Sequence, residues 1–120
     1  MTLRIFLMLL LLLTSGLLQA GSEEIRIGVL SHRGDDESHR MWDSTAKYLS
    51  YTLHPRRFVI VPLDFAEVEP AVRDAAIDFL LVNSGIYVNL EVRYRVSRIV
   101  TLDNGTGEHP LNRFGGVIFA

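Results

Sequence analysis

The chain has no cysteine in its 120 residues. That removes thiol nucleophiles, disulfide staples and cysteine-ligated zinc together. An exported form of it must rely on its apolar core. Positive charge is also thin: 12 Lys and Arg face 14 Asp and Glu, a formal net charge of −2. Arg56-Arg57 is a two-residue cluster in a turn and reads as solvated. Without a basic stripe the chain is a poor candidate for binding nucleic acid, and none is expected as a partner. The sequence also lacks a G-x-S-x-G elbow, an H-E-x-x-H helix and a glycine-rich phosphate loop. A small exported α/β enzyme is therefore the weaker reading, and no catalytic residue and no cofactor is assigned. Asp35, Asp36, Glu37 and His39 match no metal-ligand spacing and suit the positive end of a helix, so no metal is assigned.

Long apolar runs are missing except at the start. Met1 to Ala20 has one early basic residue, Arg4, and an apolar core from Ile5 to Leu13. It relaxes through Thr14-Ser15-Gly16 and ends Leu18-Gln19-Ala20, the layout of a secretory signal peptide cut after Ala20. The run is short against the roughly 20 residues of a membrane span, so an uncleaved anchor is the alternative. Either way the chain is expected to leave the cytoplasm, to the periplasm or the periplasmic face of the inner membrane. Residues 21–120 suffice for one small α/β layer.

What is present centres on Asp78-Phe79-Leu80-Leu81-Val82-Asn83-Ser84-Gly85-Ile86-Tyr87. Four apolar residues led by an acid predict a strand buried on both faces. Asn83-Ser84-Gly85 is turn and helix-cap chemistry, after which a helix starts. In an open α/β sheet ligands bind where a strand hands over to a helix. The free amides and the helix dipole there favour an anion.

The remaining elements follow from periodicity. Glu24 to Leu30 predicts strand one, and Ser31 to Glu37 a polar loop. From Ser38 the pattern is helical, with Trp42, Ala46, Leu49 and Leu53 on one face and Asp36 or Ser38 as cap. His54-Pro55 ends that helix. Phe58 to Leu63 is strand two, its proline near the strand's end or edge. A short helix is expected over Glu67 to Ala75, with Pro70 in its first turn. A third helix spans about Gly85 to Tyr94, burying Val88, Val92 or Leu90 and showing Glu91, Arg93 and Arg95 to water. Arg98 to Leu102 is expected as strand four and Asp103 to Asn112 as a loop. Gly115 to Ala120 begins a fifth strand that the sequence leaves unfinished, so the chain reads as cut. The βαβ order calls for a mostly parallel sheet with helices on both faces. Asn104-Gly105-Thr106 fits a glycosylation triplet, a pattern common by chance.

Several segments in this order resemble one family. They are Arg26-Ile27-Gly28-Val29-Leu30, Arg33-Gly34, the Trp42…Tyr48-Leu49 helix, Val61-Pro62-Leu63-Asp64-Phe65 and Glu69-Pro70-Ala71-Val72. Asp78-Phe79, Asn83 to Val88 and Gly115-Gly116-Val117-Ile118-Phe119 complete the set. The sequence from Ile25 to Ala120 resembles the phosphonate-binding-protein-like superfamily of periplasmic ligand-binding domains. Within it, the sensor region of tetrathionate-sensor-type histidine kinases is most alike. The resemblance implies lobe one of a type II periplasmic-binding-protein-like fold, with residues 21–120 as an incomplete N-terminal lobe. It implies a small anionic ligand and a second lobe of the same domain. It further implies a membrane kinase module in two-component signalling or, as the alternative, the permease of an ABC transporter for phosphonate- or phosphate-like anions. Ser84 stands where the family shows proline, and Ala75-Ala76 where it commonly has a glycine.

The carboxyl ends of the first three strands carry the candidate ligand-binding residues. They are His32 and Arg33 after strand one, Asp64 after strand two, and Asn83, Ser84, Gly85, Ile86 and Tyr87 after strand three. Asn83, Ser84 and the amides of Gly85 and Ile86 would cradle an anion. Tyr87 could stack or donate its hydroxyl, and Arg33 could supply a bidentate charge. Each has a plainer reading: helix capping for Asn83 to Tyr87, a solvent-facing loop arginine for Arg33, local structure for His32. Trp42 is read as a core anchor.

Overall fold

The computed structural model describes residues 23–103. The expected leader at residues 1–20, the 104–106 triplet, most of the 103–112 loop and the expected strand at residues 115–120 lie outside them. The chain divides into two compact units, the first reaching to Val82 and the second starting at Asn83.

The first unit runs β1 (Glu24–Leu30), α1 (Asp35–Thr52), β2 (Arg57–Leu63), α2 (Phe65–Arg73) and β3 (Phe79–Leu81). The strands form one parallel sheet in the order β2-β1-β3. Alternation along β1 and β2 turns Ile25, Ile27, Val29, Phe58 and Ile60 to one face, where Trp42, Ala46 and Leu49 of α1 pack on them. Trp42 is the core anchor its spacing predicts. Gly28 points to the other face. A Cβ there would lie 2.8 Å from Ile77 Cδ1, 2.9 Å from Leu63 Cδ1 and 3.1 Å from Leu80 Cδ1. That is the face left to α2, which packs on β1 and β2 and buries Val68 and Ala71. Ser50 ties α1 to β2: its hydroxyl donates to Ala46 O and accepts from Phe58 N, both at 2.8 Å. At the amino ends of the same strands Arg56 pairs with Glu23 at 3.2 Å and Arg57 with Glu24 at 3.6 Å. The turn arginines are therefore ion-paired across the sheet edge, not simply solvated.

Element boundaries depart from expectation for identifiable reasons. Helix α1 starts at Asp35, three residues before Ser38, and neither Asp36 nor Ser38 caps it. The N-cap is Gly34 at φ 95°, ψ 156°, a backbone region open essentially to glycine alone. Asp35, Asp36 and Glu37 fill the first turn at the positive end of the dipole. The Ser38 amide donates to Gly34 O at 3.2 Å from a buried position. Helix α2 starts two residues before Glu67. Asp64 accepts from the amides of Ala66 and Glu67, while Glu67 accepts from the Asp64 amide, a complete capping box. Pro70 therefore falls in the second turn, not the first, and cannot donate to Ala66 O.

Helix α2 stops in a Schellman turn. Ala76 N donates to Ala71 O at 2.9 Å and Ala75 N to Val72 O at 3.2 Å. Ala75 takes the left-handed position at φ 50° that glycine usually fills.

Strand β3 is not buried on both faces: Phe79 is 42% exposed. The central strand is β1, so β3 is paired only with it and lies at an edge of the described sheet. Pro62 sits in the other edge strand, opposite Val29, where a missing N–H is tolerated.

The second unit holds α3 (Ser84–Tyr94). Of its three candidate core residues Leu90 is buried, while Val88 and Val92 are exposed. Arg95 ends the helix in the left-handed conformation at φ 57°. Arg98 to Leu102 is not a strand: the segment has no ladder, and Ile99 and Val100 are exposed. Its β-branched residues express strand propensity only where a neighbouring edge and a face to bury are supplied.

Candidate functional site

In the first unit, the sheet reverses its strand order at β1. The chain passes from β1 to β2 on one side and then across to β3 on the other. The carboxyl end of β1 is thus a topological switch point, where open α/β sheets take ligands. Leu30 pairs with Leu63, and Ser31 N extends the ladder by donating to Leu63 O at 2.7 Å. The turn after β1 and the residue after β2 therefore start from one sheet edge.

Ser31 Oγ donates to Asp35 Oδ1 at 2.8 Å, folding the turn back on the first residue of α1. His32 and Arg33 project from this turn and are exposed. Neither has a hydrogen bond or ion pair among the described residues, so the Arg33 guanidinium keeps its donors for a ligand or for water. Asp64 is placed beside the turn, but its Oδ1 accepts two amides at 2.8 Å as the cap of α2. Capping accounts for Asp64 without a ligand.

In the second unit, Asn83 caps α3. Its Oδ1 accepts from Ile86 N at 3.0 Å, and its carbonyl accepts from Tyr87 N at 3.1 Å. The Ile86 amide expected in an anion cradle is therefore used by the cap. The amides of Ser84 and Gly85, the first two helical residues, are the ones a cap of this kind leaves unpaired. Ser84 supplies an N–H and a hydroxyl at the first helical residue. A Cβ on Gly85 would meet only Asn83 Oδ1 at 3.5 Å, an ordinary contact, so that neighbour does not demand glycine.

Tyr87 is half-buried and its hydroxyl donates to Glu91 Oε1 at 2.6 Å. That bond, with desolvation and the Glu91 charge, raises the phenol above its ordinary pKa, while the Arg98 backbone N–H and charge act the other way. Glu91 and Arg98 are the residues that sequence reasoning missed. The four-residue step from Tyr87 to Glu91 was a legible signal. Arg98 had none, because it comes near Tyr87 only through the turn at Arg95. Among the described residues no group of three or more His, Asp or Glu could hold a metal ion. No described helix is long and apolar enough to cross a membrane.

Residues 27–120 match the family described as the periplasmic substrate-binding protein of a phosphonate ABC transporter. The chain is also 32% identical over 96 residues to the tetrathionate sensor histidine kinase TtrS of Salmonella typhimurium. That alignment takes in 77% of this chain and 16% of the relative, so the chain spans about a sixth of that protein's length. No solved structure matches significantly. With most of its length in the match, and a parallel α/β sheet of the expected kind, the chain belongs to the phosphonate-binding family of periplasmic substrate-binding domains.

Proposed function

We propose that this chain is the N-terminal lobe of an extracytoplasmic domain that binds a small oxyanion and serves as the sensor of a membrane histidine kinase in two-component signalling. The observation that carries the reading is the switch point at the carboxyl end of β1, where Arg33 stands exposed with its donors uncommitted. The capped start of α3 is a separate candidate, offering the Ser84 and Gly85 amides, the Ser84 hydroxyl and the side-chain N–H groups of Asn83. His32 is a lesser candidate. Asp64 acts as a cap and would repel an anion. Family membership supports ligand binding outside the cytoplasm, and similarity to a tetrathionate sensor kinase supports signalling over uptake. The leader at residues 1–20 belongs to the same proposal. In it the partners are a second lobe of the same domain and the kinase module, and the kinase would be the enzyme of the full-length protein.

A second reading has the same lobe in the substrate-binding component of an ABC transporter for phosphonate- or phosphate-like anions, as the family description suggests. Calorimetry of the native-length protein against tetrathionate, methylphosphonate and phosphate separates the two. Oxyanion binding that falls at least tenfold in Arg33→Ala, together with ligand-dependent histidine phosphorylation, supports the sensor. The same binding in a protein without a kinase module supports uptake. Absence of binding to all three sinks both.

A further inference from the structure

Asn83, Tyr87 and Glu91 recur every fourth residue and lie along one stripe of α3. The 2.6 Å bond from the Tyr87 hydroxyl to Glu91 has the length of a charge-assisted O–H···O⁻ interaction. A tyrosine hydroxyl has one proton to give and lone pairs to accept with. Once the proton is committed to a carboxylate and the Arg98 backbone N–H is directed at one lone pair, an incoming ligand meets the other.

We infer that Glu91 sets the hydrogen-bonding sense of Tyr87, so that Tyr87 accepts from a protonated oxyanion and disfavours a bare oxyanion oxygen. This rests on the oxyanion reading above and adds to it that Tyr87, in the helix whose start is a candidate site, meets the ligand. The Glu91 charge works in the same direction, since a fully ionised oxygen at this hydroxyl would face a carboxylate. Arg98 is the opposing group: its positive charge acts on the same hydroxyl and favours an anion there. Arg98 thus admits a negative ligand, and Glu91 selects its protonation state.

The test compares two monoanions of equal charge on the native-length protein at mildly acidic pH. Methylphosphonate then carries a P–OH group, and its O-methyl ester carries none. Wild-type protein is expected to bind methylphosphonate about fivefold more tightly, the worth of one net hydrogen bond. Glu91→Ala frees the phenol proton and should bring the two affinities within about twofold, on the same scale. NMR of ring-labelled tyrosine should show the Tyr87 pKa falling in that variant. Tyr87→Phe should abolish the preference by itself. A preference unchanged in a folded Glu91→Ala protein would reflect the ester's bulk and overturn the inference, leaving oxyanion binding intact. Failure of wild-type protein to bind either probe overturns the inference and counts against the oxyanion reading. Binding with equal affinity for the two overturns the inference alone.

Discussion

The backbone amide of Arg26 donates to Oδ2 of Asp78 at 2.8 Å, and the amide of Asp78 donates to the Arg26 carbonyl at 2.9 Å. The pair extends the β1–β3 ladder below Ile27 and Phe79, with a side chain standing in for a backbone carbonyl. Arg26 adds a bond from its guanidinium to Ala76 O at 3.0 Å. One residue of the central strand thus fixes both the end of the α2 turn and the start of β3.

Asp78→Ala should therefore loosen β3 specifically. The groups are exposed and water replaces part of the loss, so the expected cost is about 1 kcal/mol. Hydrogen exchange should show faster exchange at the Arg26 amide, with the β1–β2 ladder unchanged. Asp78→Asn retains an acceptor oxygen and should recover most of the protection.

The same turn carries a correctable strain. Ala75 holds φ 50°, a conformation that costs an L-residue roughly 1–2 kcal/mol. Glycine relieves this but loses about 0.5–1 kcal/mol in chain entropy. Ala75→Gly should thus stabilise the protein by a few tenths to about 1 kcal/mol, read as a higher denaturation midpoint. A lower midpoint would contradict the Schellman geometry.

Gly28 tests the packing of the sheet's second face. The three atoms that a Cβ would crowd are ends of Ile and Leu side chains. They can give a little, but all three must give at once. Gly28→Ala is expected to cost about 1 kcal/mol, at the low end for overpacking, and Gly28→Val about 3 kcal/mol. Urea unfolding with an unchanged m-value is the measurement.

The pH response of α3 follows from Tyr87. Its pKa is raised by Glu91 above the ordinary value of 10.0. A group raised on folding contributes stability that is complete below the unfolded pKa. That contribution is lost as pH climbs from about 10 through the folded value. Alkaline unfolding of wild-type protein should therefore include a Tyr87 component, and Glu91→Ala should remove it, lowering stability at neutral pH so that the two proteins converge above the folded pKa. A Tyr87 titration that stays put in Glu91→Ala would contradict the 2.6 Å bond.

Particular residues mark how far the sequence could be read. Trp42, Ala46 and Leu49 declared their helix face because burial on one side imposes a period of 3.6. Asn83 declared its cap because its side chain serves an amide only three residues on. Such local relations set the order β-α-β-α-β-α. The capping role of Asp64 is just as local, because Glu67 three residues later completes its capping box. Strand order, by contrast, depends on pairs such as Gly28 with Leu80, more than fifty residues apart in the chain. Periodicity says that a residue is buried without saying against what. Only the tertiary structure put β1 at the centre, exposed Phe79 on an edge strand and left Ile99 and Val100 without a ladder. It also brought the charge of Arg98 to the Tyr87 hydroxyl. Up to Tyr94 sequence determined which segments become helices and strands, because local sterics and one-sided burial decide that; Arg98 to Leu102 shows that strand propensity alone does not. The tertiary structure decided which strands are neighbours and which donors remain open to a ligand, because partner choice depends on contacts distant in the chain.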